Sequence, residues 1–505
     1  MCDCCFRADG SCRARLPRAA ARACFPSAAL VLALLCTFLA GSLPLVLGLV
    51  IAVSITAGAA WALCAPKAAV AAAAAEAPSA SAPLDAETGS LVAVASDAAA
   101  SAAAVAPASR LAYIDNLKTT LTAIVVVHHV LGAFAGGGSV GLSVGNFRNG
   151  VQPFFLWLQI MDQSWFMCAF FFLAGLVAPP SLRRKGARDF LVDRLRRLGV
   201  PFALYFWLVA PALSAFVDVA VVGRGSSYTP GAGPPWFLAW LLIFSVCLAL
   251  ASDGGRVEPD FVVCARPSLV VLCGVGAALG SLQFVEMVFL PGLVLMPITF
   301  GSFPLDCAFF FAGVLASRNG WLDTAAARKE SEGAEAGVLA FALVSAACLG
   351  AAFGGGADGL VSVNACNAWP SRGDAGLLTM AVVLVLCVCG GAFAVAALVA
   401  SLDLFRLRFD AHSPTSAFLA QHAFAAYLVH PVAVVPLTGA FIAIMRRSTG
   451  SSFFYPIGVD FSDCLGANAE GALLAGFFVV TVLALPLTLA LAVVAKRLPL
   501  LRDLL

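Results

Sequence analysis

Four polar residues fall on one face of a single predicted helix. They are Asp115, Lys118, Thr122 and His129, at spacings i, i+3, i+7 and i+14. At about 100° per residue these positions share one narrow face, whereas His128 is turned about 100° away from His129. An imidazole can take a proton from a reacting hydroxyl group. The spacing therefore predicts a polar stripe with a titratable histidine at its end.

The composition of the chain places this helix in a membrane. The 505 residues are 61% hydrophobic and 11% charged, with a mean hydropathy of +0.96, whereas soluble domains have about 25% charged residues. A soluble enzyme, a disordered chain and a nucleic-acid binder are therefore excluded. Because the apolar runs are continuous rather than alternating, they favour helices over a β-barrel. The fold class is predicted as all-α, a polytopic transmembrane helix bundle.

Three regions follow one another along the chain. Residues 1–65 combine a basic N-terminus with an apolar run, which is either a hairpin of short spans, one tilted span or a cleaved targeting segment. Residues 66–109 are rich in Ala, Ser and Pro and are predicted as a linker. Residues 110–505 are predicted as the transmembrane domain. It has about ten apolar segments of spanning length, near 117–136, 153–178, 196–221, 236–252, 262–281, 302–318, 336–354, 376–400, 417–443 and 471–495.

The positions of Lys and Arg predict the orientation of this domain. With residues 110–118 in the cytosol, the cytosolic loops and C-terminal tail carry 17 of these residues and the opposite loops carry 5. This asymmetry follows the positive-inside rule. The sequence thus predicts an integral, multi-pass protein whose core N- and C-termini are cytosolic, and it leaves open which membrane holds it.

In that orientation the polar stripe reaches deep into the bilayer. The helix rises about 16 Å between Lys118 and His129, roughly half of the hydrocarbon core. Ionisable side chains within a span are costly and usually line a cavity or pathway, so the stripe is interpreted as a polar path from the cytosolic surface. The alternative is that Asp115 and Lys118 anchor the helix at the interface while the histidines bond to neighbouring helices.

The start of this helix resembles the membrane acyltransferase family 3. Asp115–Asn116–Leu117–Lys118, ten further residues and His129 are similar to that family's motif of Arg, ten residues and His. Lys118 stands in place of the Arg, and it can face a phosphate without the bidentate geometry of a guanidinium. The resemblance extends over about residues 110–495, through Phe170–Gly175, the basic stretch after residue 180, Pro235–Leu238 and Tyr427–Pro431.

The resemblance implies transfer of an acyl group from a soluble thioester to a hydroxyl acceptor. Acyl-CoA is the expected co-substrate, no cofactor is expected to be bound, and a glycan is one option for the acceptor. The expected partners are membrane lipid, the donor and the acceptor, without nucleic acid. His129 is expected to act as general base, with Asp115 on the same catalytic stripe. Donor binding is assigned to Lys118, Arg183, Arg184, Lys185, Arg194 and Arg197, since a phosphate-rich donor would approach these cations from the cytosol.

A possible acceptor pocket comprises residues from other segments. They are Asp162, Trp236, Tyr427 and His430. Asp162 either faces the same cavity as His129 or lies at the non-cytosolic interface. Pro431 cannot donate a backbone hydrogen bond to the carbonyl of Tyr427, so this carbonyl needs another partner and the segment should be buried or face water. The alternative for His430 is a satisfied side chain at a packing kink.

Two other functions use the same residues. In a proton-coupled secondary transporter or a lipid flippase, the His and Asp residues would carry protons, although the sequence has no visible internal repeat. A non-catalytic receptor could share the fold. An assay of acyl transfer separates the enzyme from both.

Among the 17 cysteines, none combines with His at zinc-binding spacing, so no metal site is predicted. Cys366 and Cys464 both lie in predicted non-cytosolic loops of the core. A disulfide between them is the interpretation in an oxidising compartment, and two free thiols are the alternative.

Overall fold

The computed structural model describes residues 111–135, 142, 144, 151–223, 225–252, 265–289, 294–295, 298–299, 302–322, 331–354, 377–449, 469–502 and 504. The predicted N-terminal region 1–65 and the linker 66–109 lie outside these residues, as do Cys366 and Cys464.

The described chain is a bundle of helices with one very short hairpin. The α-helices are α1 Ala112–Phe134, α2 Val151–Gln163, α3 Phe166–Arg194, α4 Val200–Leu204, α5 Ala210–Phe216, α6 Trp236–Ala251, α7 Leu269–Phe289, α8 Phe303–Asn319, α9 Ser331–Gly354, α10 Leu377–Arg408, α11 Pro414–Thr449, α12 Ala469–Arg497 and α13 Pro499–Arg502. Turns of π-helix at Leu195–Gly199, Tyr205–Val209 and Val217–Val222 join α3, α4 and α5 and extend the last of them. The strands β1 Val294–Leu295 and β2 Ile298–Thr299 pair antiparallel.

The helices confirm the predicted fold class. Within the described ranges, six helical runs are long and apolar enough to cross a membrane: Ala112–Phe134, Phe154–Val222, Leu269–Glu286, Met380–Arg408, Pro414–Met445 and Gly471–Arg497. The apolar helices Trp236–Ala251 and Gly333–Cys348 are shorter. Each of the ten predicted segments contains helix, while the number that crosses the membrane stays a prediction.

The second predicted segment is broken where a continuous span was expected. α2 ends at Gln163 and α3 begins at Phe166. In the turn between them the Ser164 hydroxyl donates to the Ile160 carbonyl at 2.7 Å, and the Trp165 N–H donates to the Asp162 carbonyl at 3.2 Å. A side chain that bonds its own helix backbone competes with the regular pattern, which accounts for a break without Pro or Gly.

The basic stretch after α3's apolar half contains a sharp bend. Gly186 lies inside α3 with a φ of 77° and divides it into two helical parts. Residues with a side chain rarely adopt this conformation. The bend separates the second predicted span from the third.

The fifth predicted segment lies further along the chain than the prediction of 262–281. α7 begins at Leu269, where the Ser268 hydroxyl accepts a hydrogen bond from the Val271 N–H at 3.5 Å, as an N-cap residue does. The helix then continues to Phe289, eight residues beyond the predicted end of the segment.

The helices α3 and α8 approach so closely that a Cβ atom would not fit between them at two glycines. A Cβ on Gly175 of α3 would collide with the Phe310 carbonyl of α8, and one on Gly313 of α8 with the Phe172 carbonyl of α3. Within a bilayer the hydrophobic effect does not drive helices together, so their association depends on close packing, which small residues allow. α3 and α8 are therefore held backbone to backbone.

Beside this contact lies an aromatic core shared by α3, α6 and α8. The rings of Phe171 and Phe237 are 4.6 Å apart, and those of Phe244 and Phe310 are 5.4 Å apart. The first half of α1 contributes Leu117, Leu121 and Val125 to this core, and α1 also packs against α2, α11 and α12. This arrangement brings the middle of α1 next to the middle of α11.

Candidate active site

Three of the five histidines of the chain meet where α1 packs against α11. The rings of His129 and His430 are stacked with centroids 4.8 Å apart and an interplanar angle of 27°. The His128 ring lies edge-on to His129, at 5.3 Å between centroids. The structure thus brings together two predicted site residues and adds His128.

Asp162 joins this cluster from the last turn of α2. Its Oδ1 is 2.8 Å from Nδ1 of His128, and the Phe166 ring at the start of α3 lies 5.1 Å from the His128 ring. A carboxylate accepts only, so Nδ1 of His128 donates this hydrogen bond. Of the two positions predicted for Asp162, the described structure favours the one beside the histidines.

His430 is held by its own helix. Its Nδ1 is 2.6 Å from the carbonyl oxygen of Tyr427, and its side chain is fully buried. This carbonyl is the one that Pro431 leaves without a backbone donor. The sequence predicted that the Tyr427 carbonyl needs another hydrogen-bond donor, and in the described structure His430 is that donor.

Tyr427 links His430 to the beginning of α6. The Tyr427 hydroxyl donates to the Pro234 carbonyl at 2.7 Å. Trp236, the first residue of α6, is half-buried, with its ring 6.3 Å from that of Phe171. Tyr427 and His430 are therefore close together, and Trp236 lies two residues after Pro234, to which Tyr427 donates.

The other end of the polar stripe lies against the connection between α10 and α11. The Asn116 amide donates to the Phe409 carbonyl at 2.7 Å, and Oδ2 of Asp115 is 3.9 Å from Nε2 of His412. Asp115 precedes His129 by about 21 Å along the helix axis. The structure does not bring Asp115 to the histidine cluster, so its predicted catalytic role has no geometric support.

The basic residues in the second half of α3 and just after it differ in whether they are paired with a carboxylate. Lys185 Nζ and Arg197 Nε lie 2.8 Å and 3.1 Å from the carboxylate of Asp193. The Arg194 guanidinium lies 4.9 Å from the Phe190 ring centroid, over its face. Arg183 and Arg184 are exposed, and within the described chain neither has a carboxylate partner. Two of the predicted donor-binding cations are therefore already paired.

His128 is the site residue that sequence reasoning set aside. Facial geometry within α1 correctly separates it from His129, but the pattern of one helix says nothing about the neighbour on the other face. The only available signal was that an ionisable Asp162 occurs early in the following apolar segment.

Comparison with known proteins gives a family match over most of the described chain. A family model described as an acyltransferase domain matches residues 111–497. Searches among curated proteins and among solved structures gave no significant match.

Proposed function

The chain belongs to the acyltransferase family 3 and is an integral-membrane acyltransferase, and on this premise we propose that it transfers an acyl group from acyl-CoA in the cytosol to a hydroxyl acceptor, with a carbohydrate as the first candidate. The observation that carries the proposal is the contact of His129 with His430, beside the His128–Asp162 pair.

In this proposal His129 is the general base. It takes the proton of the acceptor hydroxyl while the oxygen attacks the thioester carbonyl carbon. The tetrahedral intermediate then collapses, the carbon–sulfur bond breaks, and the CoA thiolate leaves and receives the proton. The products are the acyl ester and free CoA. Asp162 holds the His128 ring, and that ring packs edge-on against His129.

The donor's phosphates are proposed to meet the cationic end of the bundle. Arg183, Arg184 and Arg188 are exposed, and Lys118 lies near the start of α1, eleven residues before His129. Arg binds phosphate through two parallel hydrogen bonds and Lys as a point charge. The acyl end of a donor held there could extend along the polar stripe toward His129.

Replacing each histidine of α1 tests the proposal. We expect His129→Ala to lower the rate of transfer by about 10²–10⁴, the usual contribution of a general base. His128→Ala should retain more activity, because His128 acts through the position of its neighbour. The measurement is the release of CoA thiol by purified protein in lipid nanodiscs, with acetyl-CoA as donor and methyl glucoside as acceptor.

His422→Ala provides a matched control on another helix. His422 is buried, and its Nδ1 lies 2.7 Å from the Phe418 carbonyl, within α11. This variant should transfer at the wild-type rate. Near-normal turnover by His129→Ala would contradict the assignment of the base. Absence of acyl transfer by wild-type protein from acetyl-, succinyl- and palmitoyl-CoA would contradict the proposed donor.

A further inference from the structure

We propose that Nε2 of His430 binds a second hydroxyl group of the acceptor, next to the one that reacts, so that the preferred acceptor has two neighbouring hydroxyls. The inference rests on the proposed function. It specifies the acceptor as a vicinal diol, the arrangement found in carbohydrates.

The first step of the argument is the freed carbonyl in α11. In a regular helix the N–H of residue 431 would bond to the carbonyl of Tyr427, and Pro431 has no N–H. A buried carbonyl without a partner is costly. Nδ1 of His430 meets this need at 2.6 Å.

The second step is the position of the proton on the ring. A carbonyl oxygen can only accept, so Nδ1 must be the donor in this contact. In an uncharged imidazole the other nitrogen then has the lone pair. Pro431 therefore fixes His430 as a hydrogen-bond acceptor at Nε2.

The third step is that this acceptor is unsatisfied in the described structure. The His430 side chain is 0% exposed, and within the described residues Nε2 has no hydrogen-bond partner. Buried polar atoms are rarely left in this state. A ligand that completes the site must present a donor such as a hydroxyl.

The fourth step concerns the number of hydroxyl groups. A reacting hydroxyl has one proton, and in the proposed mechanism it goes to His129. The His129 and His430 rings are stacked 4.8 Å apart, so a group bound at Nε2 lies next to the reacting one. The reacting hydroxyl would then donate to His129, and a second hydroxyl on the adjacent carbon of the acceptor would donate to Nε2 of His430.

A pair of simple alcohols tests the acceptor preference. With acetyl-CoA as donor, wild-type protein should acylate trans-cyclohexane-1,2-diol with a higher kcat/KM than cyclohexanol. The expected ratio is about three- to tenfold, after correction for the two equivalent hydroxyls of the diol, as the loss of one neutral hydrogen bond implies.

Two substitutions separate the two ring nitrogens. The amide N–H of His430→Asn can still reach the Tyr427 carbonyl, but this side chain has nothing at the position of Nε2. We expect its diol-to-monool ratio to fall to about one. The amide oxygen of His430→Gln can reach the Nε2 position and should restore part of the preference. A merely structural role for His430 would lower both rates and leave their ratio unchanged.

The proton position is tested without any substrate. Nitrogen NMR of protein with ¹⁵N-labelled histidine should show the His430 resonances, identified by their loss in His430→Asn, as protonated Nδ1 and unprotonated Nε2. Pro431→Ala restores a backbone N–H for the Tyr427 carbonyl and should shift the ring to a mixture of tautomers. Pro436→Ala, which changes a proline of the same helix away from this carbonyl, should match wild type.

Each outcome supports or overturns a stated claim. A protonated Nε2 in wild-type protein, or a diol preference that survives His430→Asn, overturns the inference even if acyl transfer is confirmed. A ratio of about one in wild-type protein also overturns it, since the second hydroxyl then binds nothing at Nε2. A wild-type protein that acylates methyl glucoside but not the diol overturns the inference alone. A wild-type protein that acylates none of the three acceptors from acetyl-, succinyl- or palmitoyl-CoA overturns the proposed function, and the acceptor assignment with it.

Discussion

Lys118 links the two ends of the polar stripe, since it lies one turn of α1 after Asp115 and about 16 Å before His129 along the axis. If this position binds a donor phosphate, Lys118→Arg should retain donor affinity. Lys118→Glu should weaken it at least about tenfold, because a hydrogen bond to a charged group is replaced by repulsion. The measurement is the Kd of CoA by calorimetry.

A charge reversal at a distant site controls for the effect of the protein's net charge on CoA affinity. Arg502→Glu changes an exposed cation of α13 and should leave CoA affinity within about twofold of wild type, as expected for a screened surface charge. Equal CoA affinity in Lys118→Glu and wild type would show that Lys118 only anchors the helix.

At the scale of single residues, the sequence predicts the features that are set within one helix. Pro431 shows that the Tyr427 carbonyl lacks its backbone donor, and the facial geometry of α1 shows that His128 and His129 point in different directions. The contact between His128 and Asp162 could not be predicted, because it depends on how α1 and α2 are rotated relative to each other. Exposed or paired cations such as Arg183 and Lys185 are likewise indistinguishable in the sequence.

At the scale of elements, the contact between α7 and α10 makes a direct prediction about stability. A Cβ on Gly280 would collide with the Cys387 carbonyl, whereas a Cβ on Gly274 of the same helix would meet no atom within 4 Å. We expect Gly280→Ala to destabilise the protein by about 1–3 kcal/mol through overpacking. Thermal unfolding in detergent, followed by fluorescence, measures the change.

Gly274→Ala is the matched control for this substitution. It should be neutral or slightly stabilising, because Ala favours a helix over Gly by about 0.5–1 kcal/mol. If both variants unfold at the same temperature, the close approach of α7 and α10 is not what limits stability.

Hydropathy predicts where helices occur, and it fails where a break is made by hydrogen bonds. The apolar run from residue 153 to 178 has the length of one span. The turn at Ser164 and Trp165 depends on a side-chain bond that many helical serines also make. The late start of α7 has a similar cause. It depends on the cap at Ser268, between Pro267 and Leu269, and one capping residue changes little in a hydropathy averaged over a window of residues.

At the scale of the whole molecule, the orientation predicted from Lys and Arg places Cys366 and Cys464 on the non-cytosolic side. Both lie outside the described residues, so the disulfide stays a prediction. Non-reducing peptide mapping of protein from its native membrane should recover the two as one linked pair if that side is oxidising. Alkylation of both without prior reduction would exclude the bond, and labelling from the cytosol would reverse the orientation.

The hydrogen bond between Tyr427 and Pro234 joins positions 193 residues apart. At a synthesis rate of about 5–20 residues per second, the ribosome needs about 10–40 s to travel from one to the other. For that time the helices with His128, His129 and Asp162 are already made, while the helix that covers them does not yet exist. His129 can therefore contact His430 only after this delay, and the histidine cluster is completed late in synthesis.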